Sequence, residues 1–182
     1  RAAARRRIRR QERLAPQLLA LLRNRRLTRR DHLKHAGKVD RGHAARRGPL
    51  ARRTALRVGG PADLYVEPAT EDDLAAALRF CAERGLRFFM LGRGSNLLVR
   101  DGGFRGAVIA LAHPHFSRIE VAGERLHCGA GARLKAVAAE AKRNRLAGLE
   151  FFEGIPGSLG GALRMNAGAM GGSTFDVVES VR

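Results

Sequence analysis

The spacing of apolar side chains after residue 60 predicts a strand, a helix and a second strand in succession. Residues 63–67 (DLYVE) are typical of a short strand, and Thr70 followed by Asp73 resembles a capping box at a helix start. Apolar side chains then recur at helical spacing, at Leu74, Ala77, Leu78 and Cys81. Residues 86–91 (LRFFML) are almost continuously apolar, which predicts a buried parallel strand.

The pattern beyond residue 100 predicts further strands and a second helix. Residues 106–111 (GAVIAL) predict a strand, and residues 118–121 and 125–128 predict the two arms of a hairpin. Residues 132–146 predict an amphipathic helix, which Gly148 can end. No internal repeat accompanies these elements.

The first 53 residues lack such a pattern and are strongly basic. They contain 19 of the 35 lysines and arginines but only three acids, so they carry +16 of the formal net charge of +18. Leu14, Leu18, Leu21 and Leu22 indicate a short amphipathic helix, interrupted near its start by Pro16. This charge could bind RNA or an anionic membrane surface, but no aromatic residue is present for base stacking. We therefore interpret residues 1–53 as a poorly ordered basic extension.

The remaining composition is that of a soluble domain. Residues 54–182 carry a net charge of only +2, and 45% of the whole chain is hydrophobic, which is enough for a core. Cys81 and Cys128 provide neither a disulfide framework nor a paired-cysteine metal spacing, and the histidines lack ligand partners at suitable spacing. No apolar run reaches the about 18 to 20 residues of a membrane span, and no signal-peptide core is present. We expect a cytoplasmic protein without a metal site.

The first glycine-rich segment follows the apolar strand directly. It reads LGRGSNLLV from Leu91 to Val99, and ligands of open α/β sheets bind at the carboxyl ends of such strands. Gly92 and Gly94 let the backbone approach a phosphate and adopt positive φ, and the serine and asparagine that follow add side-chain donors. The segment predicts an anion cradle, to which Arg93 adds a charge unless it is a solvent-exposed loop residue.

The second segment, Gly154 to Gly172, reads GIPGSLGGALRMNAGAMGG. It has more glycines than a hairpin requires, and the stretch from Ile155 to Met165 is too apolar for a flexible linker. A backbone packed tightly on a flat, polyanionic ligand explains both properties. A set of tight turns packed against neighbouring strands is the alternative.

Neither segment fits the commoner nucleotide-binding motifs. The NTPase phosphate loop requires G-x-x-x-x-G-K-[ST], and no lysine follows either glycine cluster. The dinucleotide fingerprint G-x-G-x-x-G fails at Gly92, where the sixth position is Leu97, and at Gly129, where it is Leu134. A classical Rossmann domain is therefore disfavoured.

Three runs together carry a family resemblance. They are TALRVGGPADLYVEPAT (residues 54–70), LGRGSNLLVRDGGFRG (91–106) and GLEFFEGIPGSLGGALRMNAGAMGG (148–172). In this order and spacing they resemble the UDP-N-acetylenolpyruvoylglucosamine reductases, also called UDP-N-acetylmuramate dehydrogenases. The resemblance implies an α+β fold, an FAD-binding domain of the vanillyl-alcohol-oxidase (PCMH) type. Its two small α/β subdomains would occupy residues 54–112 and 113–182, with the second incomplete at the C-terminus.

The resemblance also implies how the two segments bind FAD. The first, Gly92–Leu97, would wrap the pyrophosphate, and the second, Gly154–Ala169, would approach the flavin and the rest of the dinucleotide. The expected donors to phosphate or isoalloxazine groups are Ser95, Asn96, Ser158 and Asn166, and Ile155 and Pro156 would pack on the ring system. The expected FAD-binding residues are Leu91, Gly92, Arg93, Gly94, Ser95, Asn96, Leu97, Gly154, Ile155, Pro156, Gly157, Ser158, Gly160, Gly161, Asn166, Ala167, Gly168 and Ala169.

The implied reaction reduces the enolpyruvyl ether of a UDP-sugar to a lactyl ether in peptidoglycan precursor synthesis, with NADPH as hydride donor. It needs groups that stabilise an enolate and an acid that protonates the neighbouring carbon. The family supplies these from an arginine, a serine and a glutamate, all expected beyond Arg182 together with the substrate-binding domain. The chain begins at Arg1 without a methionine and stops at Arg182, in the middle of a strand-like run that covers residues 175–181. We therefore expect a monomeric fragment, cut at both ends, with a flavin site but no complete active site.

Some features leave alternatives open. Met170 stands where many relatives have a tyrosine, and Arg164 could contact substrate or a flavin phosphate, or form a surface salt bridge. Two other functional classes compete with the reductase interpretation. One is nucleic-acid binding through residues 1–53, and the other is a different flavoprotein oxidase of the same superfamily, against which the combined GIPGSLGG and NAGA stretches argue.

Overall fold

A four-stranded sheet and one long helix form the first part of the fold. The computed structural model describes residues 43–182. The elements of this first part are β1 (His43–Pro49), β2 (Pro61–Glu67), α1 (Glu71–Glu83), β3 (Phe88–Leu91) and β4 (Phe104–Ala110), with a 3-10 turn at Leu50–Arg53.

The sheet has the strand order β1-β2-β4-β3. β1 is antiparallel to β2, whereas β2 and β3 both run parallel to β4. The connection from β2 through α1 to β3 therefore crosses the position of β4, which lies between these two strands in the sheet but follows them in the sequence. One core lies between the sheet and α1, and is formed by Leu64, Val66, Ala77, Phe80, Cys81, Ala107 and Ile109.

The start of α1 explains why the helix begins at Glu71. The Thr70 side chain accepts a hydrogen bond from the Asp73 amide at 3.2 Å. The buried Asp73 carboxylate accepts in turn from the Ala69 amide, also at 3.2 Å. Two amides at the helix start are thereby satisfied, as in a capping box with the second bond moved one residue upstream.

Shorter elements form the second part of the fold. They are β5 (Ile119–Ala122), β6 (Arg125–Cys128), α2 (Leu134–Arg143), a 3-10 turn at Glu150–Gly154, α3 (Leu159–Met165), β7 (Gly168–Ala169), β8 (Gly172–Ser173) and α4 (Thr174–Val177). Their core is separate and is formed by Ala132, Leu134, Val137, Ala138, Phe151, Phe152 and Ala162. The predicted boundary between residues 112 and 113 stays a prediction, although the cores lie on either side of it.

The elements predicted from periodicity are present. β2, α1, β4, the β5–β6 hairpin and α2 lie within a few residues of the predicted positions. Among the described helices, none combines the length and the apolar character that crossing a bilayer requires.

The prediction that residues 1–53 are a poorly ordered extension is wrong for residues 43–53. β1 pairs with β2 along its length, and Leu50 in the following turn is only 3% exposed. The β1 sequence HAARRGP is too polar to indicate a strand, and the segment is ordered by pairing with β2. Residues 1–42, including the predicted short helix, lie outside the described residues.

Two further predictions were wrong. β3 is an edge strand of the sheet, and Phe88, Phe89 and Met90 are 50%, 40% and 41% exposed rather than buried. The strand-like residues 175–181 instead begin inside α4, where Ser173 and Asp176 form a capping box. A local cap that satisfies the first amides favours the helical turn over the extended pattern.

We expect Asp73→Ala to lower the free energy of unfolding by about 1–2 kcal/mol, because the Ala69 amide loses its buried acceptor. Urea denaturation followed by circular dichroism measures this change. Glu83→Ala, at the exposed opposite end of α1, is the matched control and should cost nothing. Equal losses for the two variants would contradict the capping role.

Candidate functional site

The first glycine-rich segment turns sharply where β3 ends. Leu91 closes β3 and is buried in the core on the far side of the sheet from α1. Gly94 then adopts a φ of 63°, in the left-handed region where residues other than glycine are strained. The turn lies at the carboxyl end of a parallel strand, as the sequence predicted.

Gly94 packs directly on the segment that precedes β2. A Cβ atom on Gly94 would lie 2.3 Å from the Arg53 carbonyl oxygen and 2.9 Å from Thr54 Cα. The Ala55 amide donates to the Gly94 carbonyl at 3.0 Å. Residues 53–55 therefore support the turn, a role that the sequence-predicted site did not include. The TALRV run at residues 54–58, conspicuous only through the family resemblance, was the available signal.

The second segment is held against the loop that precedes α2. Ser158 forms an isolated antiparallel bridge with Arg133. The Leu159 amide donates to the Ala132 carbonyl and the Gly160 amide to the Ala130 carbonyl, both at 2.8 Å. A Cβ atom on Gly160 would lie 2.9 Å from the Ala130 Cβ, so only glycine allows this approach.

The two segments meet. A Cβ atom on Gly92 would lie 2.7 Å from Ser158 Oγ and 3.8 Å from Gly161 Cα. One on Gly157 would lie 3.6 Å from Ser95 Oγ. We call residues 92–95 together with residues 157–161 the glycine cleft.

The glycine cleft has hydrogen-bond donors to offer. No main-chain amide from Arg93 to Asn96 donates to another of the described residues. The side chains of Arg93, Ser95 and Asn96 are exposed, and Ser158, although only 3% exposed, makes no capping bond to α3. Backbone amides in a side-chain-poor turn, beside hydroxyl and amide groups, are suited to a polyanionic ligand.

The remaining predicted site residues have structural contacts of their own. Asn166, Ala167, Gly168 and Ala169 follow α3, which begins within the glycine cleft and is about 10 Å long. Asn166 has a φ of 44° and its Oδ1 accepts from the Phe175 amide at 2.9 Å. The Ala167 carbonyl accepts both the amide and the hydroxyl of Thr174. That these four residues bind FAD stays a prediction.

The other predicted residues flank the glycine cleft. Gly154 ends a 3-10 turn, Ile155 is half-buried and Pro156 is exposed. Arg164 is exposed and forms no ion pair with the described residues, and Met170 is 80% exposed.

The described residues offer neither a cluster of metal ligands nor a reactive thiol. Within residues 43–182 no group of three or more His, Cys, Asp or Glu side chains is arranged to hold a metal ion. Burial raises the pKa of Cys128 to about 11 and also raises the pKa of Cys81. Both thiols are therefore protonated near neutral pH.

A mixed α/β fold with a side-chain-poor, donor-rich cleft after a parallel strand defines a nucleotide-cofactor-binding domain. The comparison with family models identifies it: residues 62–182 match the family described as FAD binding domain. The chain belongs to this family. The predicted α+β FAD-binding fold and FAD as cofactor are thereby confirmed.

Several similar proteins share one name. The chain is 51% identical over 134 residues to the UDP-N-acetylenolpyruvoylglucosamine reductase of Pelobacter propionicus, covering 73% of this chain and 45% of that protein. It is 51% identical over 142 residues to the reductase of Geobacter sulfurreducens, covering 78% and 47%. The crystal structure of the reductase from Thermus caldophilus superposes with a TM-score of 0.62 at 37% identity, covering 76% and 47%. The predicted resemblance is confirmed, and the chain spans about half the length of these relatives.

We predict that the double variant Ser95→Cys/Gly157→Cys forms a disulfide on mild oxidation, because a Cβ on Gly157 would lie 3.6 Å from Ser95 Oγ. Mass spectrometry without reductant would detect the loss of two hydrogens. In the control pair Ser95→Cys/Gly154→Cys, the Gly154 position has no heavy atom within 4 Å of its Cβ. Equal cross-linking of both pairs would mean that the two segments do not meet as described.

We also expect Cys128 to react slowly with iodoacetamide at pH 7 in the native chain, since only the thiolate is nucleophilic. The rate should rise as the pH approaches the pKa of about 11. Peptide mass spectrometry after timed quenching measures it, with urea-unfolded chain as the control. Equal rates in native and unfolded chain at pH 7 would contradict the raised pKa.

Proposed function

We propose that this chain provides the FAD site of a UDP-N-acetylenolpyruvoylglucosamine reductase. The enzyme reduces UDP-N-acetylglucosamine enolpyruvate to UDP-N-acetylmuramate with NADPH. The names of relatives at 51% identity support this activity, and the match to the FAD binding domain family supports the cofactor. We further propose a cytoplasmic, monomeric enzyme whose partner is the UDP-sugar substrate.

The observation that carries the proposal is the meeting of the two glycine-rich segments in the glycine cleft. Either segment alone could be a tight turn, which was the alternative considered for the second one. Here, however, the two segments come from different parts of the fold and approach within side-chain distance. The amides of Arg93 to Asn96 donate to no other described residue. A shared ligand explains both observations better than two unrelated turns. The geometry fits the diphosphate of a dinucleotide, because a Cβ at Gly92 or Gly157 would project between the two segments and a Cβ at Gly94 would displace the turn from residues 53–55.

Within the proposal, each part of the cleft has a distinct role. The amides of Arg93 to Asn96 bind diphosphate oxygens, and the side chains of Ser95, Asn96 and Ser158 add donors. Ile155 and Pro156, which precede Gly157, present an apolar surface on which a flat ring system packs. When bound, FAD supplies hydride transfer from NADPH to the enolpyruvyl group.

The proposal assigns the chain a binding role rather than the whole reaction. We propose that the groups that protonate the substrate carbon and stabilise the enolate lie beyond Arg182, as the family resemblance implies. Arg164, exposed and without an ion pair in the described part, is available to a phosphate, but nothing favours substrate over flavin.

We expect Gly94→Val to weaken FAD binding at least about a hundredfold, because a branched side chain cannot adopt a φ of 63° and would clash with Arg53. Titration of FAD, followed by quenching of flavin fluorescence, measures the affinity of the chain. Gly102→Val is the matched control, since nothing lies within 4 Å of its Cβ and its φ is not in the left-handed region. FAD binding by Gly94→Val equal to that by the control would refute the cradle.

The activity itself needs the longer protein that contains this chain. NADPH oxidation that depends on the enolpyruvyl nucleotide is the expected result, measured by the fall in absorbance of the reduced nicotinamide. A flavin-loaded protein that oxidises NADPH equally with and without the nucleotide would refute the reductase assignment while leaving the FAD site intact.

A further inference from the structure

A cluster of three side chains lies beside the glycine cleft and outside the predicted FAD-binding set. Glu67 Oε1, at the end of β2, accepts from the Tyr65 hydroxyl at 2.7 Å. The same oxygen pairs with Arg53 Nη1 at 2.9 Å. The Arg53 guanidinium carbon also lies 4.7 Å from the centroid of the Tyr65 ring. Arg53 is thus held at two points, through its charge and through its flat face.

The cluster is anchored in the sheet. Tyr65 is only 3% exposed, and its ring belongs to the core with Leu91 and Val108. Burial is the main cause that raises the pKa of the Tyr65 phenol, followed by the Glu67 charge, so the hydroxyl remains a donor at working pH. The carboxylate therefore receives one donor from the rigid core and one from Arg53.

The main chain of Arg53 links the cluster to the FAD loop. Its carbonyl oxygen is the nearest atom to the position of a Cβ on Gly94, at 2.3 Å. Thr54, which follows, is 6% exposed and donates its hydroxyl to the Val58 carbonyl at 3.3 Å. The Ala55 amide then donates to the Gly94 carbonyl. Residues 53–55 are thus fixed at one end by the Arg53 side chain and contact the turn along their length.

We propose that Arg53 is a positioning residue for FAD: its side chain, held by Glu67 and Tyr65, fixes the main chain against which the Gly94 turn rests. This inference rests on the proposed function of the first loop in binding the FAD diphosphate. Because the amides that follow Gly94 must converge on one anion, a small displacement of this support reduces affinity without removing any FAD contact.

An exposed ion pair alone would not suffice for this role, since such pairs contribute little to stability. The chain offers a comparison on the same strand. Asp63 of β2 pairs with Arg105 at 2.7 Å, but both side chains are about half exposed and no aromatic ring among residues 43–182 contacts the Arg105 guanidinium. Arg105→Ala thus removes an ion pair on the same strand, together with a hydrogen bond to the Gly102 carbonyl, without touching residues 53–55.

The experiment compares Arg53→Ala and Arg105→Ala in the 182-residue chain. FAD affinity is measured by fluorescence titration, apo stability by urea denaturation, and the environment of the bound flavin by visible circular dichroism. For Arg53→Ala we expect FAD affinity to fall at least about fivefold and the flavin spectrum to change. For Arg105→Ala we expect FAD affinity to change by less than about twofold. We expect its urea midpoint to shift about as much as that of Arg53→Ala.

Two results would overturn the inference: equal FAD affinities of the two variants, or a loss for Arg53→Ala that only mirrors its loss of stability. If Arg53→Ala does not fold, Tyr65→Phe removes one hydroxyl from Glu67 and keeps the ring. Its FAD affinity should then fall relative to Arg105→Ala, and an unchanged affinity would equally overturn the inference. Failure of the unaltered chain to bind FAD would instead refute the proposed function and this inference with it.

Discussion

The close approach of the two glycine-rich segments is the constraint on which the rest of the site depends. A Cβ atom on Gly92 would lie 2.7 Å from Ser158 Oγ, closer than Cβ atoms pack, whereas one on Gly157 would make an ordinary contact with Ser95 Oγ at 3.6 Å. The sheet fixes one partner through β3, and the Ser158–Arg133 bridge fixes the other beside α2. The two parts of the fold therefore act on one small volume, which is how a fold built from short elements can present a defined cleft.

Sequence reasoning worked best where one local signal determined the outcome. The cap at Thr70 and the helical spacing after it specify α1, and the glycine clusters located the cleft correctly. It failed where partners from elsewhere decide the structure. β1 forms because β2 offers an edge to pair with, β3 is exposed because its position in the sheet is set by β4, and α4 forms because Ser173 and Asp176 cap it.

The same reasoning explains which residues of the glycine cleft could be predicted and which supporting residues could not. Gly92, Gly94 and Gly157 could be predicted because they lie in conspicuously glycine-rich segments. The support from residues 53–55 does not, because it acts through main-chain atoms that no residue type encodes. The family resemblance assigns Asn166 to FAD, which stays a prediction, and its φ of 44° and the hydrogen bond that it accepts from the Phe175 amide show that it also ends α3. A polar residue in a glycine-rich run can serve the turn itself.

The exposed edge strand has a practical consequence. β3 presents two phenylalanines and a methionine at an edge where no further strand of residues 43–182 pairs with it, a combination that templates intermolecular strand addition. Arg87, whose guanidinium lies 5.8 Å from the Phe104 ring, provides a repulsive charge at the start of the strand. The solubility of the chain therefore depends on ionic strength. Added salt screens the repulsion between the arginines and promotes aggregation through the β3 edges.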